Sequence, residues 1–171
     1  AGEGSAILDR LFVALLELER QQGRRVIVLL SDGRDLHSVV GADDVEGVAR
    51  SSQAILYWVR LAPPRPQAIC AGRRLVQRAV PLSAWRDSSS FRRQERQLEK
   101  LVRRSGGRVY ELVDSAGVEP AFGDILRELR EQYALGYYPA PRRDDGSWRR
   151  VRVSVARPGV RLRVREGYVD R

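Results

Sequence analysis

At 171 residues the chain fits one domain with a small appendage, and 43% hydrophobic with 31% charged residues excludes collagen-like, coiled-coil and wholly disordered chains. The longest unbroken aliphatic run, residues 26–30, falls far short of the roughly 20 apolar residues of a membrane helix. A single cysteine, Cys70, excludes an internal disulfide framework and a multi-thiolate zinc site, and a single histidine, His37, excludes histidine-rich metal sites.

The formal charge of +9 is uneven, at −2 over residues 1–61, +5 over 62–138 and +6 over 139–171. Thirty of the 31 basic residues are arginine, a bias that GC-rich coding produces without selection for anion binding, so basicity alone does not establish a polyanionic partner. A chain that begins at Ala1 and holds no methionine reads as a piece of a longer product, with no signal peptide of its own.

Residues 5–22 place Ile7, Leu8, Leu11, Phe12, Leu15, Leu16 and Leu18 at helical spacing, and Gly23 ends the pattern. Residues 25–30 form a β-branched and leucine run that predicts a strand buried on both faces, closed by the polar turn Ser31-Asp32-Gly33. A short helix is predicted over 43–52 and a second apolar strand over 54–61. Helix alternating with buried strand is the pattern of an α/β layer fold, with a mostly parallel sheet and helices on both faces.

From 62 to 90 the periodicity fails among Pro63, Pro64, Pro66, Pro81 and the Asp87-Ser88-Ser89-Ser90 run, which predicts a long surface insertion and the least ordered part of the chain. An amphipathic helix is expected over 91–104, a third strand over 108–113, and a helix with Pro120 in its first turn and a stripe of Phe122, Ile125, Leu126, Leu129 and Tyr133. Residues 1–133 thus form the α/β domain and 134–171 a C-terminal β addition. In the latter, valine–arginine alternation predicts antiparallel pairing of 148–156 with 160–165 and an arginine-rich outer face.

Asp32 follows a buried parallel strand, where open α/β sheets bind ligands, although a turn-forming aspartate before Gly33 explains the same position. Asp35 and Ser38 add oxygen donors or turn formers. Such donors suit magnesium, calcium or manganese rather than zinc or copper. His37 beside Ser38 and near Asp35 is a weak hydrolase pattern, and Cys70 among small apolar residues reads as inert. No residue is assigned a catalytic role. Tyr137, Tyr138 and Tyr168 suit packing better than base stacking.

Five stretches taken in order resemble one family: Gly4-Ser5-Ala6-Ile7-Leu8-Asp9; Arg25-Val26-Ile27-Val28-Leu29-Leu30-Ser31-Asp32-Gly33-Arg34-Asp35; Arg104-Ser105-Gly106-Gly107-Arg108; Gln132-Tyr133-Ala134-Leu135-Gly136-Tyr137-Tyr138-Pro139; and Arg157-Pro158-Gly159-Val160 with Glu166-Gly167-Tyr168. Together with Trp85-Arg86-Asp87 they resemble the von Willebrand factor A-related domain proteins of the acidobacterial type. The resemblance implies a Rossmann-like three-layer sandwich, a non-enzymatic protein-interaction or adhesion module, and a secreted or extracytoplasmic setting. It also implies a metal-ion-dependent adhesion site in which magnesium is shared with an acidic group of a protein partner.

Carried over by position, Ser5 takes the place of the family's threonine and Asp32 that of its late aspartate; apart from the resemblance, nearby Asp35 is expected to add a second carboxylate through water. The chain lacks the family's Asp-x-Ser-x-Ser strand, so the site is partial and Mg2+ binding is expected to be weak, on the order of millimolar or poorer. Without that strand, residues 25–30 are expected to present an open sheet edge that invites self-association. The alternative function is nucleic-acid or polyanion binding through the C-terminal arginine-rich face.

Overall fold

The computed structural model describes residues 5–61, 88–141 and 144–170. Three short runs rich in β-branched and aromatic residues form β1 (Val26–Ser31), β2 (Ile55–Leu61) and β3 (Val109–Leu112). They pair in the order β1-β2-β3, parallel throughout, with Leu29 opposite Trp58 and Trp58 opposite Val109. Among the described residues, α1 (Ile7–Glu19) precedes β1, α2 (Ala42–Ser52) joins β1 to β2, and α3 (Ser88–Arg104) leads into β3. A 3-10 turn (Ser115–Gly117) leads into α4 (Val118–Glu131), which has Pro120 in its first turn as expected. No helix among the described residues is long and apolar enough to cross a membrane.

Successive side chains of β2 point to opposite faces, and this period of two builds two cores. Leu56 and Trp58 pack with Leu11, Leu15, Val45, Leu98, Leu101 and Val102, so α1, α2 and α3 cover one face. Tyr57 and Val59 pack with Ala121 and Ile125 beneath α4 on the other. This is the expected α/β arrangement, a parallel sheet flanked by helices.

The strand positions correct one expectation. Residues 56–59 at the centre of β2 are buried, whereas no residue of β1 is fully buried and Leu30 is 48% exposed. β1 is an edge strand, paired on one side only among the described residues. The Ile55 amide donates to the Arg25 carbonyl (2.9 Å) and the Trp58 amide to the Arg108 carbonyl (3.0 Å). Peptide groups alternate in direction along a parallel strand, so Arg25, Ile27 and Leu29 turn theirs to β2 while Val26, Val28 and Leu30 turn theirs outward.

The junction before β3 shows why its residues are small. Ser105 is buried, donates through Oγ to the Val102 carbonyl (2.7 Å) and accepts the Leu56 amide (2.9 Å). A serine side chain thereby replaces a backbone partner where β3 has not yet begun. Residues 88–90 belong to α3 rather than to the insertion expected over 62–90, and the expected disorder of 62–87 lies outside the described residues.

The tail departs further from expectation. The antiparallel pair is β4 (Trp148–Arg150) with β5 (Gly167–Val169), not 148–156 with 160–165. The ladder extends only to the Val151 amide on the Glu166 carbonyl (2.9 Å), because the Glu166 amide donates instead to Arg104 at the end of α3 (3.1 Å). Arg104 Nε also pairs with Glu166 (2.9 Å). This contact diverts the chain from its cross-strand neighbour. Nor do the arginines form one outer face: Arg163 pairs with Glu128 of α4, Arg165 donates to the Ala54 carbonyl (3.2 Å) and Arg149 pairs with buried Asp170. Glu128 in turn accepts the hydroxyl of buried Tyr57 (2.7 Å), so the tail is anchored through α4 to the central strand.

Candidate functional site

The carboxyl end of β1 is built as a chain of turns. Ser31 Oγ accepts the Gly33 amide (3.1 Å) and Asp32 Oδ1 accepts the Arg34 amide (3.1 Å), short-range bonds that fold the backbone back over the sheet. Gly33 has φ +83°, and a Cβ there would lie 2.5 Å from the Trp58 ring. Trp58 Nε1 donates to the Ser31 carbonyl (3.1 Å). The turn therefore rests on the indole face, and only glycine fits between them.

Beyond the turn, Ser5 and Asp35 meet in an isolated parallel bridge, with the Leu36 amide on the Ser5 carbonyl (3.2 Å). The Asp35 carboxylate accepts four bonds. Oδ2 takes the Leu8 amide (2.8 Å) and Ser38 Oγ (2.6 Å), while Oδ1 takes the amides of His37 (3.2 Å) and Ser38 (3.0 Å). Helix α1 begins after Ala6, which has no capping side chain, so a residue 27 positions away from Leu8 supplies the cap. Burial works to raise the Asp35 pKa, but the bonds from Ser38, Leu8 and His37 outweigh it and hold the carboxyl below its ordinary value. Asp9 completes the clamp from the helix side, its carboxylate accepting the amides of Val39 (2.9 Å) and Val40 (2.8 Å) and its own amide donating to Ser38 Oγ (3.1 Å).

Ser5 and Asp35 are thus brought together, but as a structural bridge and cap. Asp32 stands exposed on the neighbouring turn. Both Asp35 oxygens are occupied by hydrogen-bond donors, and the Ser5 hydroxyl points at the Arg34 carbonyl (3.5 Å). Magnesium demands near-octahedral oxygen coordination, and this donor set does not fit it. No group of three histidine, cysteine, aspartate or glutamate side chains able to hold a metal occurs among the described residues. The Ser38 hydroxyl donates its proton to the Asp35 carboxylate, which engages it as part of the helix cap and not as a nucleophile paired with an imidazole base.

One crest residue was not singled out from sequence. Arg60 at the end of β2 lies over the Trp58 ring (5.4 Å to its centroid) and meets Glu111, Glu99 (3.7 Å) and Glu95 (3.9 Å). A lone charge inside the apolar Ile55–Leu61 strand is the signal that marks it. At the opposite end of the strands a cleft of about 490 Å3 is lined by Glu19, Arg25, Gln53, Tyr138 and Tyr168. Tyr137 packs edge-on against Tyr168, with ring centroids 6.1 Å apart. Comparison with protein-family models, curated proteins and solved structures finds no match to this chain.

Proposed function

We propose that the chain is a non-enzymatic protein-interaction module of the von Willebrand A class, and that its contact region is the outer edge of β1 beside the Ser31-Asp32-Gly33 turn. The observation that carries this reading is the outer edge of β1, which is unpaired among the described residues. Val26, Val28 and Leu30 turn their peptide groups outward in a strand with no proline and no charged residue to guard it. The handedness of the fold agrees. Helix α1 starts at the carboxyl crest and lies on the same face as α2 and α3. A right-handed β-α-β unit ending in β1 would place its first strand on that edge. The edge is therefore shaped to receive an extended segment parallel to β1, and a second copy of the chain can compete for it. The magnesium-bridged contact with an acidic partner group finds no adequate donor set in Ser5, Asp32 and Asp35, so recognition is assigned to the backbone edge.

Sedimentation equilibrium over a range of concentrations tests this with Val28→Pro. The substitution removes an outward N–H while leaving the Ile27 and Leu29 bonds to β2 in place. The wild-type chain is expected to gain mass with concentration, and the variant to associate at least about tenfold more weakly with its circular dichroism unchanged. A wild-type chain that stays monomeric throughout, or a variant that associates equally well, would show that the edge is not the contact.

A further inference from the structure

We propose that the arm between β4 and β5, residues 151–165, is a docking surface for anionic phospholipid. The segment 150–165 holds six arginines and no acidic residue. Two of them, Arg163 and Arg165, are spent on Glu128 and the Ala54 carbonyl, and Arg150 reaches Glu166 at 3.9 Å. Arg152, Arg157 and Arg161 are exposed and have no ion partner among the described residues. On the same arm Val155, Val160 and Leu162 are 49%, 46% and 43% exposed.

Free guanidinium groups flanking exposed aliphatic side chains match a surface that offers phosphate at one depth and hydrocarbon just below it. The arm contains no aromatic residue, and stacking of bases on aromatic rings is the main apolar contribution to single-strand nucleic-acid binding. Its exposed valines and leucine have no counterpart in a phosphate backbone, which favours lipid over nucleic acid.

Co-sedimentation of the full chain with phosphatidylcholine vesicles, with and without phosphatidylserine, tests the proposal, with a labelled DNA duplex as competitor. Binding is expected only when phosphatidylserine is present and to weaken with salt. Losing one arginine should reduce partitioning about fivefold, and Arg152→Gln with Arg157→Gln and Arg161→Gln on the order of 100-fold. Val160→Ser with Leu162→Ser should weaken vesicle binding while leaving any duplex binding unchanged. Circular dichroism on both variants confirms folding, since all five side chains project from the arm. The proposal is overturned if the chain ignores phosphatidylserine, if the triple variant binds vesicles as well as wild type, or if the duplex displaces vesicles and the serine variant binds them normally. That last outcome would identify a nucleic-acid surface.

Discussion

Asp35→Ala is expected to destabilise the chain by about 2–4 kcal/mol, because it removes a helix cap and leaves several backbone donors without their acceptor. The Leu8 amide loses its cap, Ser38 Oγ its acceptor, and the His37 and Ser38 amides their turn. Asp35→Asn, which keeps one acceptor oxygen, should lose about half as much. The pH dependence follows from the direction of the pKa shift. Folding lowers the Asp35 pKa, so the unfolded chain takes up this proton first as pH falls. The carboxylate's contribution is complete above the ordinary aspartate value of about 4 and disappears as pH drops through the lower folded value. Urea denaturation should therefore show a constant gap between wild type and Asp35→Asn near neutrality, closing progressively below pH of about 4. A gap under about 0.5 kcal/mol at neutral pH would mean that the clamp is not holding α1.

Gly107→Ala is expected to cost at least about 3 kcal/mol or to prevent folding. A Cβ at this position would sit 1.7 Å from the Leu56 carbonyl oxygen and 2.7 Å from its carbon. Both obstacles are backbone atoms of the buried central strand, so no side-chain rotation relieves the clash, and shifting β2 would break the Ser105–Leu56 bond. Gly47→Ala in α2 provides the contrast. Nothing lies within 4 Å of a Cβ there, and replacing a mid-helix glycine by alanine should stabilise by up to about 1 kcal/mol. Thermal melts of the two variants separate close packing from helix propensity, and similar effects at both positions would contradict the assigned junction.

The elements were legible in the sequence wherever a local period sufficed. The aliphatic run of β1, the amphipathic spacing of α1 and the turn residues Ser31-Asp32-Gly33 each declare themselves within a few residues. What such a pattern lacks is the identity of its neighbours. Val26 and Val59 look alike in a strand, yet one lies on an edge and the other in the centre. Asp35 resembled a possible ligand because the Leu8 amide that engages it lies far away in the chain. Alternating valine and arginine correctly marked an extended tail, but the alternation could not show that Arg163 and Arg165 would find Glu128 and Ala54 on the domain. Nor could it show that Arg104 would take the Glu166 amide from the ladder.

Residue-resolved amide hydrogen exchange along β1 tests the open edge most directly. In dilute solution the amides of Ile27 and Leu29, bonded to β2, should exchange at least about 100-fold more slowly than those of Val28 and Leu30. On concentration the latter pair should gain protection as a second strand seats against them. If Val28 and Leu30 are already as protected as Ile27 and Leu29 in the dilute monomer, the edge is occupied within the chain itself and cannot be the surface that receives a partner.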